Sequence, residues 1–212
     1  MGRFFSIDFG LSFTQTIHEK PTPSMHPENV QLPCGYTVVT TGAGTGIGAQ
    51  SARAYVQARA TDIIVMSRTP SDLEKLKAEL DGPTTKNPDL HVRAFPGDAS
   101  KSETYIRPKS TMQEEFNGRL DCLVNNAGSI GGLEGFTGKL HQLDPNEHAN
   151  LIDLNYLDPR YAIHQLLPLL LGPRNSRRQI INITSIGVLC HSGYYCIRNK
   201  QASPQPLYST CG

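Results

Sequence analysis

Short apolar runs alternate with longer segments of mixed polarity along the chain. The apolar runs are rich in β-branched residues and end at glycines, prolines or polar residues, a pattern typical of β-strands. The runs with this character are residues 37–40, 63–66, 91–95, 120–124 and 180–183. Residues 63–66 are apolar without alternation, as expected for a parallel strand that is covered on both faces.

The first two segments between these runs predict helices. Residues 47–60 are rich in alanine, as is common in a helix that packs closely on a sheet, and residues 71–80 carry leucines at helical spacing. Ser71 is expected to cap the second helix, because Glu74 follows three residues later and would complete a capping box. Each of these helices would connect two neighbouring strands.

Prolines mark the later helical segments. A polar helical stretch precedes the fourth run, and Pro108 is expected to break or kink it. A long helix is predicted over residues 145–170, with an interruption near Asp158 and Pro159. This alternation of strands and helices predicts an α/β fold, namely a doubly wound parallel sheet of the Rossmann type, in three layers and with right-handed crossovers.

The length and composition fit a single domain. The chain has 212 residues, of which 38% are hydrophobic, enough to bury one sizeable core. Residues 1–35 contain four prolines and no sustained periodicity, which predicts an N-terminal arm that is extended over the domain or partly disordered. Residues 36–200 are predicted to form a Rossmann-like α/β domain, and residues 201–212 an irregular tail.

Charge and cysteine content narrow the class of partner. Lys and Arg number 20 against 19 Asp and Glu, a net charge of +1 that gives no electrostatic signature of nucleic acid or of an anionic membrane. The 5 cysteines are odd in number and show no paired spacing, so neither a disulfide framework nor a metal site is predicted. No targeting or membrane-spanning segment is evident. We expect a cytoplasmic protein that acts on a small molecule.

A glycine-rich turn lies where the first predicted strand passes into the first predicted helix. It runs from Thr41 to Gly48 and includes Gly42, Gly44 and Gly46. Glycine lets the backbone turn sharply and approach a ligand, while the first N–H groups of the helix and the positive end of its dipole face an anion. The turn therefore predicts a site for the pyrophosphate of a nicotinamide dinucleotide. The alternative is a glycine-rich surface turn that binds nothing.

The residues after the second strand bear on which nicotinamide cofactor binds. An acidic residue about 20 positions beyond the last glycine accepts a hydrogen bond from the ribose 2′-hydroxyl of NAD, whereas a 2′-phosphate requires a cation. This chain has Ser67 and Arg68 there. An arginine fork pairs well with phosphate and a serine donates a further hydrogen bond, so NADP(H) is favoured. Alternatively, Arg68 is a solvated charge that follows a strand.

Several motifs occur in the order found in one protein family. They are Thr41-Gly-Ala-Gly-Thr-Gly-Ile-Gly48, Asn125-Asn126-Ala127-Gly128 and Asn155. With the strands between them, they resemble a short-chain dehydrogenase/reductase from about residue 36 to residue 190, and residues 13–18 are similar to the arm of some fungal members. The resemblance implies that Asp98 accepts a hydrogen bond from the adenine amino group, with Ala99 beside it. The cofactor-binding residues implied are Thr41, Gly42, Gly44, Gly46, Ile47, Gly48, Ser67, Arg68, Asp98, Asn125, Asn126, Ala127 and Gly128.

The resemblance also implies a set of catalytic residues. In the family, a tyrosine exchanges a proton with the substrate oxygen, a serine hydroxyl holds that oxygen, and a lysine binds the nicotinamide ribose and lowers the tyrosine pKa. The lysine is needed because a free tyrosine titrates near about 10 and transfers protons poorly at neutral pH. An asparagine completes the relay through water. The matching residues are Ser185, Tyr195, Lys200 and Asn155.

The spacing of Tyr195 and Lys200 departs from the family pattern. Family members have three residues between the tyrosine and the lysine, so that both side chains point into one cleft. Here the two are five positions apart, which on a regular helix rotates them about 140° from each other. Pro204 and Pro206 then stand where the family's helix continues. We expect the last strands, the substrate-covering segment and part of the usual dimer interface to be missing, through truncation, a shifted reading frame or a retained intron.

These observations support functions of different classes. The first is an NADP(H)-dependent oxidoreductase that transfers a hydride between the nicotinamide and a carbonyl or secondary alcohol, with a role in fungal secondary metabolism expected by association. The second is a truncated, catalytically impaired remnant that still binds the cofactor or acts through another subunit. The third is an unrelated nucleotide-binding regulator on the same fold. A homo-oligomer is compatible with the first two.

Overall fold

The computed structural model describes residues 20–82, 87–131, 141, 144–172 and 177–184, which are built around a parallel β-sheet. Its strands are β1 Thr37–Thr40, β2 Asp62–Ser67, β3 His91–Pro96, β4 Cys122–Asn125 and β5 Gln179–Asn182. The strand order is β3-β2-β1-β4-β5, and neighbouring strands run parallel. Strand β1 therefore lies in the middle of the sheet. Strands β2 and β3 extend the sheet on one side of it, and β4 and β5 extend it on the other. The predicted doubly wound sheet is confirmed.

Helices connect the strands and cover both faces of the sheet. They are α1 Gly46–Gln57, α2 Pro70–Leu80, α3 Ile106–Glu115, α4 Pro145–Ile152 and α5 Asp158–Leu171. None of the helices in the part of the chain that the structure describes is both long and apolar enough to cross a membrane.

Alternate residues of each strand enter two separate cores, because successive side chains point to opposite faces. Val38 packs with residues of α1 and α2 in the first core, whereas Val39 packs with residues of α3 and α5 in the second. All four residues of β1 are buried, as the central position of this strand requires. This arrangement accounts for the uninterrupted apolar runs in the sequence and confirms the three layers.

Two expectations about helix starts were wrong. The second helix begins at Pro70 rather than being capped by Ser71, and Thr69 occupies the N-cap position. Proline suits the first helical position because its fixed φ is helical and its missing N–H has no partner there. Pro108 stands in the first turn of α3 for the same reason, so it neither breaks nor kinks that helix.

The ends and joints of other helices also differ from the prediction. The first helix ends at Gln57 instead of residue 60, and Arg59 then adopts a left-handed conformation with φ of 65°. The interruption predicted near Asp158 takes the form of a π-helical turn over Asp153–Leu157, which joins α4 to α5. Such turns contain wider hydrogen-bonded rings and are frequent at functional sites.

The described residues before β1, 20–36, are not simply extended. Short 3₁₀ turns occupy Pro23–Met25 and Pro27–Asn29, each starting with proline, whose ring presets the required φ. Leu32 then donates its N–H to the carbonyl of Ala58, at 2.9 Å, and its side chain packs on the first core. This contact attaches the segment to the domain.

A buried carboxylate fastens the amino ends of the strands. Asp121 is fully buried and accepts hydrogen bonds from the backbone N–H of Thr37 at 3.0 Å and of Arg177 at 2.8 Å. The Arg119 guanidinium pairs with the same carboxylate, with Nε at 2.6 Å and Nη2 at 2.9 Å. The four donors compensate the buried charge, and the cluster joins the starts of β1, β4 and β5. The opposite, carboxyl end of the sheet carries the candidate site.

Candidate cofactor site

The glycine turn leaves the carboxyl end of β1 and has no room for side chains at two positions. Gly42 has φ of 61°, and a Cβ there would lie 2.8 Å from the Cα of Ala127. A Cβ on Gly48 would lie 2.4 Å from the Gly42 carbonyl oxygen and 2.5 Å from Nδ2 of Asn126. Real Cβ atoms do not approach backbone so closely, so the close approach of these segments requires glycine.

The start of α1 exposes its first N–H groups. Thr45 is the N-cap residue, and its side chain makes no hydrogen bond to the helix. Gly46 has φ of 58°, and the space beside it is open. Ile47 follows with 63% of its surface exposed, which is unusual for so apolar a residue. A helix start with free N–H groups and an open approach suits an anion such as a phosphate.

Thr41 joins this turn to the loop that follows β4. Its Oγ1 accepts hydrogen bonds from the backbone N–H of Asn126 at 3.1 Å and of Ala127 at 3.0 Å. In return, Nδ2 of Asn126 donates to the carbonyls of Thr41 and Gly42, at 3.0 and 3.1 Å. The two predicted motifs are therefore parts of one hydrogen-bonded unit.

The loop after β4 is also fixed from its other side. Asn155 in the π turn accepts a hydrogen bond from Ser129 N–H at 2.9 Å and donates one to the Ser129 carbonyl at 2.7 Å. A Cβ on Gly128 would lie 3.0 Å from Oδ1 of Asn155, so glycine allows this approach. At the strand end, Asn125 donates from Nδ2 to Oδ1 of Asn182 on β5, at 2.8 Å. The loop is thus held in place by three neighbouring segments, namely the glycine turn, the π turn and β5.

Ser67 and Arg68 lie at the end of β2, beside the glycine turn. Ser67 is half-buried, and a Cβ on Gly44 would lie 2.7 Å from its Oγ. Arg68 is exposed and forms no hydrogen bond or ion pair with any residue that the structure describes. Its guanidinium is therefore available to a ligand at the edge of the turn.

Asp98 follows β3 at the same end of the sheet. Its Oδ1 accepts hydrogen bonds from the backbone N–H of Ser100 at 3.0 Å and from its hydroxyl at 2.9 Å, which fixes the carboxylate. Ala99 beside it is buried. Within the described residues, Asp98 and Arg68 line one cleft of about 380 Å³, to which Ser129 also contributes. This volume is at the lower end of the range for small-molecule sites.

A family model described as short chain dehydrogenase matches residues 36–196. The chain is also 44% identical, over 180 residues, to short chain dehydrogenase pgmD of Aspergillus terreus; the match covers 84% of this chain and 57% of that protein. The chain belongs to the short-chain dehydrogenase family. The family membership that the sequence motifs indicated is thereby confirmed.

More distant members of the family show how far the likeness extends. L-fucose dehydrogenase of Oryctolagus cuniculus is 33% identical over 152 residues, which cover 72% of this chain and 47% of that protein. A short-chain dehydrogenase structure from Streptomyces avermitilis matches with a TM-score of 0.57 at 27% identity, over 71% of this chain and 49% of that chain. A Brucella melitensis 3-oxoacyl-[acyl-carrier protein] reductase with bound NAD has the same fold, with a TM-score of 0.63 at 23% identity, covering 80% and 60% of the two chains. The chain spans about half the length of the curated relatives it matches.

Of the catalytic residues inferred from the family pattern, the described structure contains Asn155. It lies in the π turn and is exposed, and both polar atoms of its side chain are bonded to the backbone of Ser129. Ser185, Tyr195 and Lys200 lie outside the described residues. The side chain of Asn155 thus orients the loop that carries the short-chain dehydrogenase motif of residues 125–128.

Some residues at the site were missed by the sequence analysis. Lys101 lines the cleft together with Asn150 and Asp153, which come from the helical segment before Asn155. Lys101 could have been found, because it follows Asp98 in the same loop. Asn150 and Asp153 could not, because nothing local indicates that this segment lines the same cleft as the loop after β3.

Asp158 was noted only as a helix interruption, although it is the most unusual residue near the site. It is fully buried, whereas aspartate is rarely buried without a partner. The sequence contains a signal of this burial, because Asp158, Ala162 and Leu166 follow one another at intervals of four and so share the buried side of α5.

Proposed function

We propose that this protein is an NADP(H)-dependent oxidoreductase that transfers a hydride between the nicotinamide and a carbonyl or secondary alcohol. The observation that carries the proposal is the turn from Thr41 to Gly48, in which Gly42 and Gly48 admit no Cβ and the helix start is left without a side-chain cap. When bound, the nicotinamide supplies the hydride chemistry. The residues of the chain bind it, orient it and move the proton.

The residues present fit a dinucleotide phosphate. The first N–H groups of α1 would bind the pyrophosphate, and the absence of a Cβ at Gly44 leaves space beside Ser67. Asp98 would bind the adenine amino group, because its Oδ1 is fixed by Ser100 while its carboxylate lines the cleft. Asn125 to Gly128, held by Thr41, would form the floor of the cleft.

Preference for NADP(H) over NAD(H) follows from the charge at the end of β2. Arg68 offers five donors in a planar fork that matches phosphate oxygens, and it has no competing partner among the described residues. Ser67 offers a hydroxyl beside it. Lys101 lines the same cleft and adds a second positive charge. A ribose 2′-hydroxyl would call for an acidic residue at the end of β2, and neither Ser67 nor Arg68 is acidic.

The residues proposed to transfer the proton are those that match the catalytic pattern of the family. Ser185 would donate a hydrogen bond to the substrate oxygen, and Tyr195 would exchange a proton with it. Lys200 would stabilise the tyrosinate, since a nearby cation favours the charged form of tyrosine. Asn155 would support the relay by fixing the loop at Ser129.

The proposal also covers the domain organisation and the cellular location. We propose that the chain consists of an arm of residues 1–35, a cofactor-binding domain of residues 36–200 and a tail of residues 201–212. The chain would act in the cytoplasm on a small molecule and as a homo-oligomer. Its 44% identity to an Aspergillus terreus relative supports a place among fungal members of the family. A role in fungal secondary metabolism is proposed by association with those members.

A second candidate is a protein that binds the cofactor without turnover. The spacing of Tyr195 and Lys200, five positions apart, favours it, because a regular helix would direct the two side chains about 140° apart. Such a chain would retain the site built by Thr41 and the glycine turn. Loss of a positioned general acid or base typically costs about 10²–10⁴-fold in rate.

The test is NADPH oxidation by the full chain with a panel of ketones and aldehydes. We expect turnover that falls about 10²–10⁴-fold in Tyr195→Phe and is unchanged in Tyr194→Phe, a matched variant of the neighbouring tyrosine. Turnover that is equally sensitive to both substitutions would contradict the role of Tyr195. NADPH binding without oxidation of any carbonyl would favour the second candidate.

A further inference from the structure

One face of α4, continued by the π turn, lines the cleft described above. Residues three and four positions apart lie on the same side of a helix, and the residues that line the cleft from this segment follow that spacing. They are Glu147, Asn150, Leu151 and Leu154, with Asp153 beside them. The segment therefore presents one side of the helix to the cleft as a wall.

Hydrogen bonds position this wall, because no residue of α4 is buried. Asp144 caps the start of the helix, where its Oδ1 accepts a hydrogen bond from the N–H of Asn146 at 2.9 Å. At the other end, Asn155 in the π turn is bonded to the backbone of Ser129, which itself lines the cleft. The wall is thus attached directly to the loop that follows β4.

The wall combines apolar surface with an amide that has no partner. Leu151 and Leu154 are only half-buried, so apolar surface remains uncovered in the cleft. Asn150 is exposed, and its side-chain amide forms no hydrogen bond with any residue that the structure describes. Apolar side chains with a few well-placed polar groups are typical of sites that bind an organic ligand.

Of the parts of a dinucleotide phosphate, the adenine base matches this wall best. A phosphate group suits the cations Arg68 and Lys101 of the same cleft, but it gains nothing from leucine side chains. A purine has apolar ring faces and an edge of hydrogen-bonding groups, so leucines and an amide complement it. Asp98 lines the same cleft with a carboxylate that accepts hydrogen bonds, as the amino group of adenine requires.

The amide of Asn150 is suited to one particular edge of adenine. An asparagine pairs with adenine by accepting a hydrogen bond from the N6 amino group and by donating one to N7. The amino group has a second hydrogen, which remains for the carboxylate of Asp98. Hypoxanthine carries a carbonyl oxygen in place of the amino group, so it offers neither residue a donor on that edge.

We propose that Asn150 is a specificity-determining residue for the base of the cofactor: it pairs with the amino group and N7 of adenine, while Leu151 and Leu154 cover a face of the ring. This rests on the cofactor binding proposed above. Asn150 acts at the adenosine end of the dinucleotide, far from the nicotinamide. It therefore determines affinity for the correct base and takes no part in hydride transfer.

The experiment is a fluorescence titration of the full chain with NADPH and with its reduced hypoxanthine analogue, which differs from NADPH only in the base. We expect the unmodified protein to bind NADPH more tightly by about tenfold or more. In Asn150→Leu, NADPH affinity should fall by about threefold to tenfold and that of the analogue by less than about twofold. Asn146→Leu, at an exposed asparagine of the same helix that does not line the cleft, should leave both affinities unchanged.

A second readout distinguishes recognition of the base from a general disturbance of the site. The ratio of NADPH to NADH affinity reports the 2′-phosphate, which Asn150 does not contact in this assignment. This ratio should be the same in Asn150→Leu as in the unmodified protein, whereas the ratio of NADPH to hypoxanthine-analogue affinity falls. Asn150→Gln keeps an amide on a longer side chain and should retain more of the base preference than Asn150→Leu.

Three results would overturn the proposal. Equal losses of NADPH and hypoxanthine-analogue affinity in Asn150→Leu, or no loss of either, would show that Asn150 does not recognise the base, while leaving the cofactor assignment intact. Equal binding of the two dinucleotides by the unmodified protein would show that the base is not recognised through its amino group. Absence of NADPH binding by the unmodified protein would overturn the proposed function and this inference with it.

Discussion

The side-chain amide of Asn155 forms a reciprocal pair of hydrogen bonds with the backbone of Ser129, at 2.9 Å to the N–H and 2.7 Å to the carbonyl. A π turn carries Asn155 to this position, and the pair fixes the loop that Thr41 holds from the other side. Two well-formed hydrogen bonds of this kind stabilise a loop by about 1 kcal/mol each.

Asn155→Ala should therefore loosen the loop and weaken NADPH binding by about threefold to tenfold, since about 1.4 kcal/mol corresponds to a factor of ten. Faster amide hydrogen exchange at Ser129 and a fluorescence titration with NADPH check this. Gln113→Ala, which removes an exposed amide on α3, is the matched control and should leave both measurements unchanged. Unaltered exchange at Ser129 in Asn155→Ala would contradict the assigned role.

The glycines of the turn should differ in their sensitivity to alanine. A Cβ at Gly48 would lie within 3.0 Å of two backbone atoms and of Asn126 Nδ2, whereas a Cβ at Gly46 would meet open space. Gly46→Ala should cost about 1 kcal/mol, because alanine resists the left-handed conformation, and Gly48→Ala about 2–4 kcal/mol through overpacking. Urea unfolding measures both. A larger cost at Gly46 would mean that the turn is not packed as described.

Asp121 provides a test of the opposite end of the sheet. Asp121→Ala leaves the Arg119 charge and two backbone N–H groups without their acceptor, so it should lower the free energy of unfolding by about 3–5 kcal/mol. Asp89→Ala, at an exposed carboxylate, should change it by less than about 0.5 kcal/mol. NADPH affinity of folded Asp121→Ala should be close to that of the unmodified protein, because Asp121 lies far from the cofactor turn; a large loss would contradict this separation.

Asp158 also makes a definite prediction about stability and pH. Its pKa is raised from 3.8 to about 7 in the folded protein, so the folded state holds a proton that the unfolded state has already released. The associated stabilisation is complete below the lower value and is lost as pH rises through the higher one. The stability of Asp158→Asn relative to the unmodified protein should therefore increase over this pH range, by about 4 kcal/mol at most. A constant difference across pH would exclude the raised pKa.

Much of the fold could be predicted because the strands are short, apolar and bounded by residues that end them. The predictions of where helices begin were less accurate, because Ser71 and Pro108 were interpreted from local rules. Proline is acceptable in the first turn of a helix, where its missing N–H costs nothing. The π turn before Asp158 could not be foreseen in its form, because the hydrogen-bond pattern of a helix depends on the neighbours it must reach.

The candidate site shows a similar division. The glycine turn and Arg68 are local features whose spacing carries their chemistry, and the structure brings them together at one end of the sheet. The pairing of Asn155 with Ser129 depends on the relative placement of two distant segments, which no local pattern specifies. The buried position of Asp158 likewise becomes evident only when α5 is packed against Tyr105.

The most direct test of the central claim compares the affinities of NADPH and NADH by fluorescence titration, in the unmodified protein, in Arg68→Ala and in Arg160→Ala, an exposed arginine of α5. We predict that the unmodified protein binds NADPH more tightly by about tenfold or more, and that Arg68→Ala removes this preference by weakening NADPH alone, since charge-assisted hydrogen bonds contribute about 1.5–3 kcal/mol. Arg160→Ala should retain the preference. Equal affinity for the two cofactors in the unmodified protein, or an equal loss of both in Arg68→Ala, would contradict the account.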